Sequence, residues 1–64
     1  MFCEGIYIER KFGFLGSIEA TPYVRGKGYT FDTMKGAFDF CKAVRKRGED
    51  EADAIYNEMK EGKR

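Results

Sequence analysis

Residues 29–48, YTFDTMKGAFDFCKAVRKRG, decide the fold, because the spacing of the apolar residues changes its period within them. Up to Phe31 the apolar residues alternate with polar ones, as in a β-strand. From Met34 onward they recur every three or four positions, as in an α-helix. Asp32 or Thr33 lies at this change and supplies the N-cap oxygen of the helix. The sequence therefore predicts strands first and helices second.

The predicted first helix has one apolar stripe and a basic end. At spacings of three and four residues the stripe contains Met34, Ala37, Phe38, Cys41 and Val44. We expect this stripe to cover a sheet, with Phe40 lying off the core face. A basic cluster fills the last turns, where cations complement the helix dipole: Lys42, Arg45, Lys46 and Arg47. Gly48 is predicted to end the helix.

Acidic residues open a second predicted helix, with Glu49, Asp50 and Glu51 at its positive end. Its stripe of Ala52, Ile55, Tyr56 and Met59 is predicted to stop at Gly62. An isolated helix of about 12 residues is marginal in water, so this helix must dock on another element. The short turn at Gly48 favours docking beside the first helix, where the second helix would cover Phe40 and Val44. Pairing with a second copy is the alternative. We expect a monomer in preference to a homodimer.

The chain before residue 32 is predicted to form an antiparallel meander. Residues 2–10 alternate, with Phe2, Ile6 and Ile8 on one side and Tyr7 and Glu9 on the other. Residues 15–24 alternate again, and Pro22 indicates an edge position or a bulge. A turn at residues 25–28 leads to a short strand at 29–31. The prediction is one small α+β domain over residues 1–64, a three-stranded meander followed by two α-helices.

Composition argues against an enzyme and against a cofactor or metal site. The chain has no histidine, which is the commonest general base and metal ligand. Gly26-Lys27-Gly28 lacks the Lys-Ser/Thr of a phosphate-binding loop, and the acids at 49–53 match a helix start. We predict no catalytic, cofactor-binding or metal-binding residue. Without a signal peptide or an apolar segment of about 20 residues, a cytoplasmic location and no membrane contact are expected.

The charge is uneven along the chain. Residues 1–48 carry nine Lys and Arg against five Asp and Glu, and residues 49–64 carry three against six. The acidic end partly neutralises the basic body, so the long-range field that drives nonspecific nucleic-acid binding should be weak.

The chain contains the runs Gly16-Ser17-Ile18, Tyr23-Val24-Arg25-Gly26-Lys27 and Tyr29-Thr30-Phe31-Asp32-Thr33, followed by a predicted helix with Ala37 and Phe40. This pattern resembles the three-stranded-sheet-plus-helix DNA-binding domains of tyrosine-recombinase N-termini and AP2-type factors, over about residues 4–47. The resemblance implies that the open face of the sheet enters the major groove. It would implicate Tyr7, Ser17, Thr21, Tyr23 and Arg25, with Lys27 on the phosphate backbone. Glu9 and Glu19 fall on that same face and would oppose phosphates. DNA binding through this face and the adjacent basic residues is therefore the alternative function.

Protein binding is the function that the sequence favours. We expect a small non-enzymatic regulator or inhibitor that docks on a larger protein, similar in scale to small regulators of phages and mobile elements. Exposed aromatic residues flanked by charges of both signs are typical of interfaces. The predicted partner-binding residues are Tyr7, Leu15, Tyr23, Arg25, Lys27 and Phe40.

Overall fold

The computed structural model describes residues 1–61 and has a four-stranded antiparallel sheet followed by two α-helices. The α+β class is confirmed, and the predicted three strands are four. The elements are β1 (Phe2–Cys3), β2 (Ile6–Phe12), β3 (Ile18–Val24), β4 (Lys27–Gly28), α1 (Met34–Arg47) and α2 (Ala52–Glu61), in the sheet order β1-β2-β3-β4. The predicted stop at Gly62 lies outside the described residues.

The predicted first strand is in fact a hairpin. Glu4 and Gly5 both have positive φ, 54° and 82°, and they form a two-residue turn that folds β1 back onto β2. Turns of this kind match the right-handed twist of the paired strands. Phe2 consequently pairs with Tyr7 and is exposed, whereas we expected it on the core side with Ile6 and Ile8.

Pro22 lies in a central strand, so the prediction of an edge position was wrong. β3 pairs with β2 on one side and β4 on the other, and the ring of Pro22 is buried. The carbonyl of Pro22 accepts a hydrogen bond from the amide of Tyr29, and a proline nitrogen cannot return one. The ladder is therefore interrupted here: regular pairing ends at Gly28 and resumes only as a bridge between Ala20 and Phe31.

The ends of α1 follow the sequence prediction. The hydroxyl of Thr33 accepts a hydrogen bond from the amide of Gly36 at 3.1 Å, which makes Thr33 the N-cap. Gly48 ends the helix with φ at 112°, a conformation that favours glycine. A single 3₁₀ turn, Glu49–Glu51, then connects α1 to α2.

Phe40 is fully buried, so its assignment as a partner-binding residue was wrong and the alternative, cover by the second helix, is correct. Its ring lies 5.0 Å from that of Tyr29, 5.3 Å from Phe31 and 6.3 Å from Tyr56, between ring centres. Tyr29 and Phe31 lie between β4 and α1, and Tyr56 lies in α2. Phe38, which we placed in the core stripe, is only half-buried at its margin.

The second helix packs beside the first, as expected, and completes the core. Ala52 and Ile55 are buried, and Tyr56 and Met59 pack at the edge of the same cluster. The hydroxyl of Tyr56 also donates to the backbone carbonyl of Thr30 at 3.2 Å, which ties α2 to the end of the sheet. Within residues 1–61 neither helix has the length and apolar character needed to span a bilayer.

We expect Phe40→Ala to lower the free energy of unfolding by about 3–5 kcal/mol, because it empties a fully buried site. That loss is most of the stability of a domain this small. Phe38→Ala is the matched control and should cost less, about 1–2 kcal/mol, since part of its ring is already in water. Urea denaturation followed by circular dichroism measures both. A larger loss for Phe38→Ala than for Phe40→Ala would contradict the placement of the two rings.

Candidate functional site

An aromatic row crosses the face of the sheet that the helices leave open. Phe2, Tyr7 and Tyr23 occupy neighbouring positions on β1, β2 and β3. The ring of Phe2 meets Tyr7 edge-on with centres 5.4 Å apart, and Tyr7 stacks on Tyr23 at 6.1 Å. Phe2 is 73% exposed and Tyr7 is also exposed. The row is therefore a preassembled apolar surface in contact with solvent.

Tyr23 is the fixed end of this row. Its hydroxyl donates to the Glu9 carboxylate at 2.8 Å. This bond, together with partial desolvation and the Glu9 charge, raises the pKa of Tyr23 above its usual value. A Cβ at Gly28 would come within 2.9 Å of both the Tyr23 ring and the Thr21 methyl group. Glycine at position 28 thus allows the Tyr23 ring to lie close to the backbone of β4.

The rest of the open face is polar and carries both signs of charge. Thr21 lies opposite Glu9, and its hydroxyl is 3.2 Å from the hydroxyl of Thr30. In the next row Lys11 lies opposite Glu19. Of the two acidic residues that the alternation placed on this face, Glu9 is thus beside the aromatic row and Glu19 is one row further away. Ser17 is in the loop before β3, where its hydroxyl donates to the carbonyl of Phe14.

Arg25 and Lys27 lie at the helix side of the sheet and are paired with acidic residues. Arg25 contacts Glu49 at 3.2 Å and Asp50 at 2.8 Å, and Lys27 contacts Asp53 at 2.9 Å. Lys27 pairs with Val24 across the β3–β4 hairpin, and Val24 belongs to the core. The structure thus separates both cations from Tyr7 and Tyr23, the open-face residues with which the sequence grouped them.

Acidic residues also pair with part of the basic cluster of α1. Arg45 pairs with Glu49, and Arg47 pairs with Glu51 and Glu58, at distances of 3.0–3.1 Å. Lys42 and Lys46 are exposed, and neither has an ion-pair partner among residues 1–61. Two of the four cations therefore connect α1 to the segment that follows it, and two remain free on its surface.

Leu15 lies at the tip of the β2–β3 loop, in the most exposed apolar surface of the described chain. Leu15 is 91% exposed, Phe14 88% and Phe12 70%. The backbone of Leu15 is left-handed, with φ at 62°, which is unfavourable for a residue with a branched side chain. The loop is closed by a hydrogen bond from the amide of Gly13 to the carbonyl of Ser17 at 2.7 Å. We call the surface formed by Phe12, Phe14 and Leu15 the apolar tip.

Sequence reasoning missed Phe2, Phe12 and Phe14 as surface residues. Phe2 was assigned to the core because the turn at residues 4 and 5 was not recognised. The signal was present in Gly5, since a glycine in an alternating run can mark a turn. Phe12 and Phe14 were not assigned to the surface, and the clue to an exposed loop was three apolar residues interspersed with two glycines (residues 12–16, FGFLG).

The Cys41 thiol is buried in the core. Burial raises the pKa of the Cys41 thiol to about 12, with a smaller contribution from Cys3 nearby, so Cys41 is protonated at neutral pH. Within residues 1–61 no three His, Cys, Asp or Glu side chains come together in a geometry that could hold a metal ion.

Comparison of the chain with models of protein families, with curated proteins and with solved structures finds no match. The geometry of the surface residues is accordingly the basis for inferring a function.

The ion pair and the hydrogen bond that Asp53 makes predict a specific response to acid. Hydrogen bonds from Tyr29 at 2.6 Å and from Lys27 hold the pKa of Asp53 below its usual value. A carboxyl whose pKa is lower in the folded state stabilises the fold above its unfolded pKa of about 4, and this stabilisation is lost as the pH falls through the folded pKa. We expect the unfolding free energy of Asp53→Asn to depend less on pH below about 5 than that of the wild type.

Tyr29→Phe is the matched variant for this test, because it keeps the buried ring and removes only the hydroxyl that Asp53 accepts from. Its acid dependence should also be weaker than that of the wild type. Guanidinium denaturation at a series of pH values measures all three proteins. Equal acid dependence in the wild type and in Asp53→Asn would show that this interaction does not contribute to stability.

Proposed function

We propose that this protein is a small non-enzymatic regulator or inhibitor that binds a larger protein through the aromatic row of its sheet. The observation that carries the proposal is the exposure of Phe2 and Tyr7 in direct ring contact on an open face. Aromatic residues are enriched among the few interface residues that dominate binding energy. Leu15, at the apolar tip, is the second predicted anchor.

The row is suited to binding because little of it must be ordered when a partner arrives. Tyr23 is held by Glu9 and stacks under Tyr7, which in turn supports Phe2. Side chains that are already positioned lose less entropy on association than free ones, by roughly 0.5–1.5 kcal/mol each. The surrounding polar residues, Thr21, Lys11 and Glu19, would form the hydrated rim that is common around such anchors.

DNA binding through the same face has weaker support. Glu9 lies beside the aromatic row, and Glu19 lies two positions along β3 from Thr21. A phosphate backbone would therefore approach two carboxylates. Arg25 and Lys27 already neutralise acidic residues of the 3₁₀ turn and α2. The positive potential that DNA binding requires is therefore small on the face that would have to enter the groove.

Capture of a partner from a lysate of the native host tests the proposal. The bait proteins are the wild type, a Phe2→Ser/Tyr7→Ser variant, and Lys42→Ser/Lys46→Ser as a control that changes the free cations of α1. We expect a protein captured by the wild type and by the control, unaffected by nuclease, and lost with the first variant. With the purified partner, loss of two aromatic anchors should weaken Kd on the order of 100-fold.

Circular dichroism of each bait establishes that the variants are folded before capture is compared. A complex of this kind should change little between low and moderate salt, whereas a DNA complex should weaken roughly tenfold or more. Capture that disappears with nuclease and with Arg25→Ala would overturn the proposal in favour of DNA binding. Capture that survives Phe2→Ser/Tyr7→Ser would place the interface elsewhere on the protein.

A further inference from the structure

One edge of the sheet is only partly covered. β1 is two residues long and β2 is seven, so β1 pairs with Ile6 and Tyr7 and its preceding residue reaches only Ile8. The last contact along this edge is the hydrogen bond from the amide of Ile8 to the carbonyl of Met1, at 2.7 Å. Beyond Ile8, β2 continues to Phe12 with β3 on one side and no strand on the other among residues 1–61.

The alternation of an antiparallel strand fixes which backbone groups point to the uncovered side. Ile8 directs its amide toward β1, so Arg10 and Phe12, two and four residues later, direct their amides and carbonyls the same way. Lys11 and Glu9 direct theirs toward β3. Two residues of β2 therefore present unpaired donors and acceptors in the register that another strand would need.

Apolar and basic side chains flank this uncovered edge. Phe12 lies on it, and Phe14 and Leu15 of the apolar tip follow within three residues. The guanidinium of Arg10 lies 5.4 Å from the centre of the Phe12 ring, and Lys11 projects from the opposite face of the sheet. An added strand would thus meet an apolar surface at one end and cations on both faces.

The charges on β2 disfavour a second copy of this chain as the added strand. An antiparallel pairing of two β2 edges in which Arg10 faces Phe12 of the other copy would place Lys11 directly opposite Lys11. Like charges directly opposite each other destabilise a sheet. An acidic residue opposite Lys11 would instead form a favourable cross-strand pair. In this register the charges therefore disfavour a second copy and favour a strand with an acidic residue opposite Lys11.

We propose that the edge of β2 from Arg10 to Phe12 accepts an extended segment of a partner protein as a fifth strand. This proposal rests on the proposed function and specifies how a partner is held. Backbone hydrogen bonds to Arg10 and Phe12 provide the pairing, as in other cases where a peptide adds to a sheet edge. The segment has an acidic residue opposite Lys11 and an apolar residue opposite Phe12, so apolar and acidic residues alternate along it.

A blocked peptide of alternating valine and glutamate is the probe, and a blocked peptide of alternating valine and lysine is its control. Each is titrated into the full-length protein labelled with ¹⁵N, with amide shifts followed by NMR. We expect the glutamate peptide to shift the amides of residues 10–15 and the lysine peptide to bind at least roughly tenfold more weakly. Lys11→Glu should reverse this preference, because it inverts the sign of the cross-strand pair.

Proline at position 10 tests the backbone contribution. Arg10→Pro removes an amide that points away from β3, so the fold should tolerate it as edge strands tolerate proline. It should weaken the glutamate peptide by about tenfold relative to Arg10→Ala, which loses the same side chain and keeps the amide. If Arg10→Pro does not fold, Lys11→Glu and the pair of peptides still decide the question.

Three results would overturn the proposal: no amide shifts at millimolar glutamate peptide, shifts centred on Phe2 and Tyr7, or equal affinity of Arg10→Pro and Arg10→Ala. Concentration-dependent shifts of residues 10–12 without peptide would assign the edge to a second copy, which also overturns it. The proposed function is tested independently, since its capture experiment depends on Phe2 and Tyr7. Failure at the β2 edge with capture intact would leave that function standing.

Discussion

Phe40 lies where the sheet, α1 and α2 meet, and its ring contacts aromatic side chains from the sheet end and from α2. A chain of 64 residues buries too little surface to stabilise each layer separately. One ring that is shared by three elements makes their packing interdependent, because without α2 part of the Phe40 ring would be exposed. Tyr29 and Tyr56 reinforce this arrangement, because each also donates a hydrogen bond between α2 and the segment that follows β4.

The second helix affects both the core and the surface charge of the sheet. Its apolar side covers Phe40, and its acidic side, with the preceding 3₁₀ turn, binds Arg25 and Lys27. Exposed ion pairs of this kind add little stability, because solvent and salt screen them. Their larger consequence is electrostatic, because they leave the sheet without a continuous basic surface. The exposed aromatic and apolar side chains, in the row of Phe2 and Tyr7 and at the apolar tip, therefore lie among polar residues of mixed charge.

Periodicity predicted the helices well and the strands less well, for reasons that particular residues show. On a helix with 100° per residue, Phe38 and Phe40 flank the same stripe on opposite sides, so only the position of α2 decides which is buried. That position is a long-range property that the local pattern does not contain. Tyr7 and Tyr23 were found by alternation, but their stacking depends on the register of β2 against β3. Phe2 lies on the open face and not on the predicted core face, because a two-residue turn at Glu4 and Gly5 reverses the chain.

The backbone conformation of Leu15 lowers the stability of the folded protein. A left-handed backbone costs a residue with a side chain about 1–2 kcal/mol relative to glycine, and this leucine recovers nothing by burial because its side chain lies in water. Replacement by glycine should therefore raise the melting temperature while removing an apolar anchor. In this loop, a substitution that raises thermostability would weaken recognition of a partner. A library selected for heat resistance would be expected to lose Leu15 early, whereas one selected for partner retention would keep it.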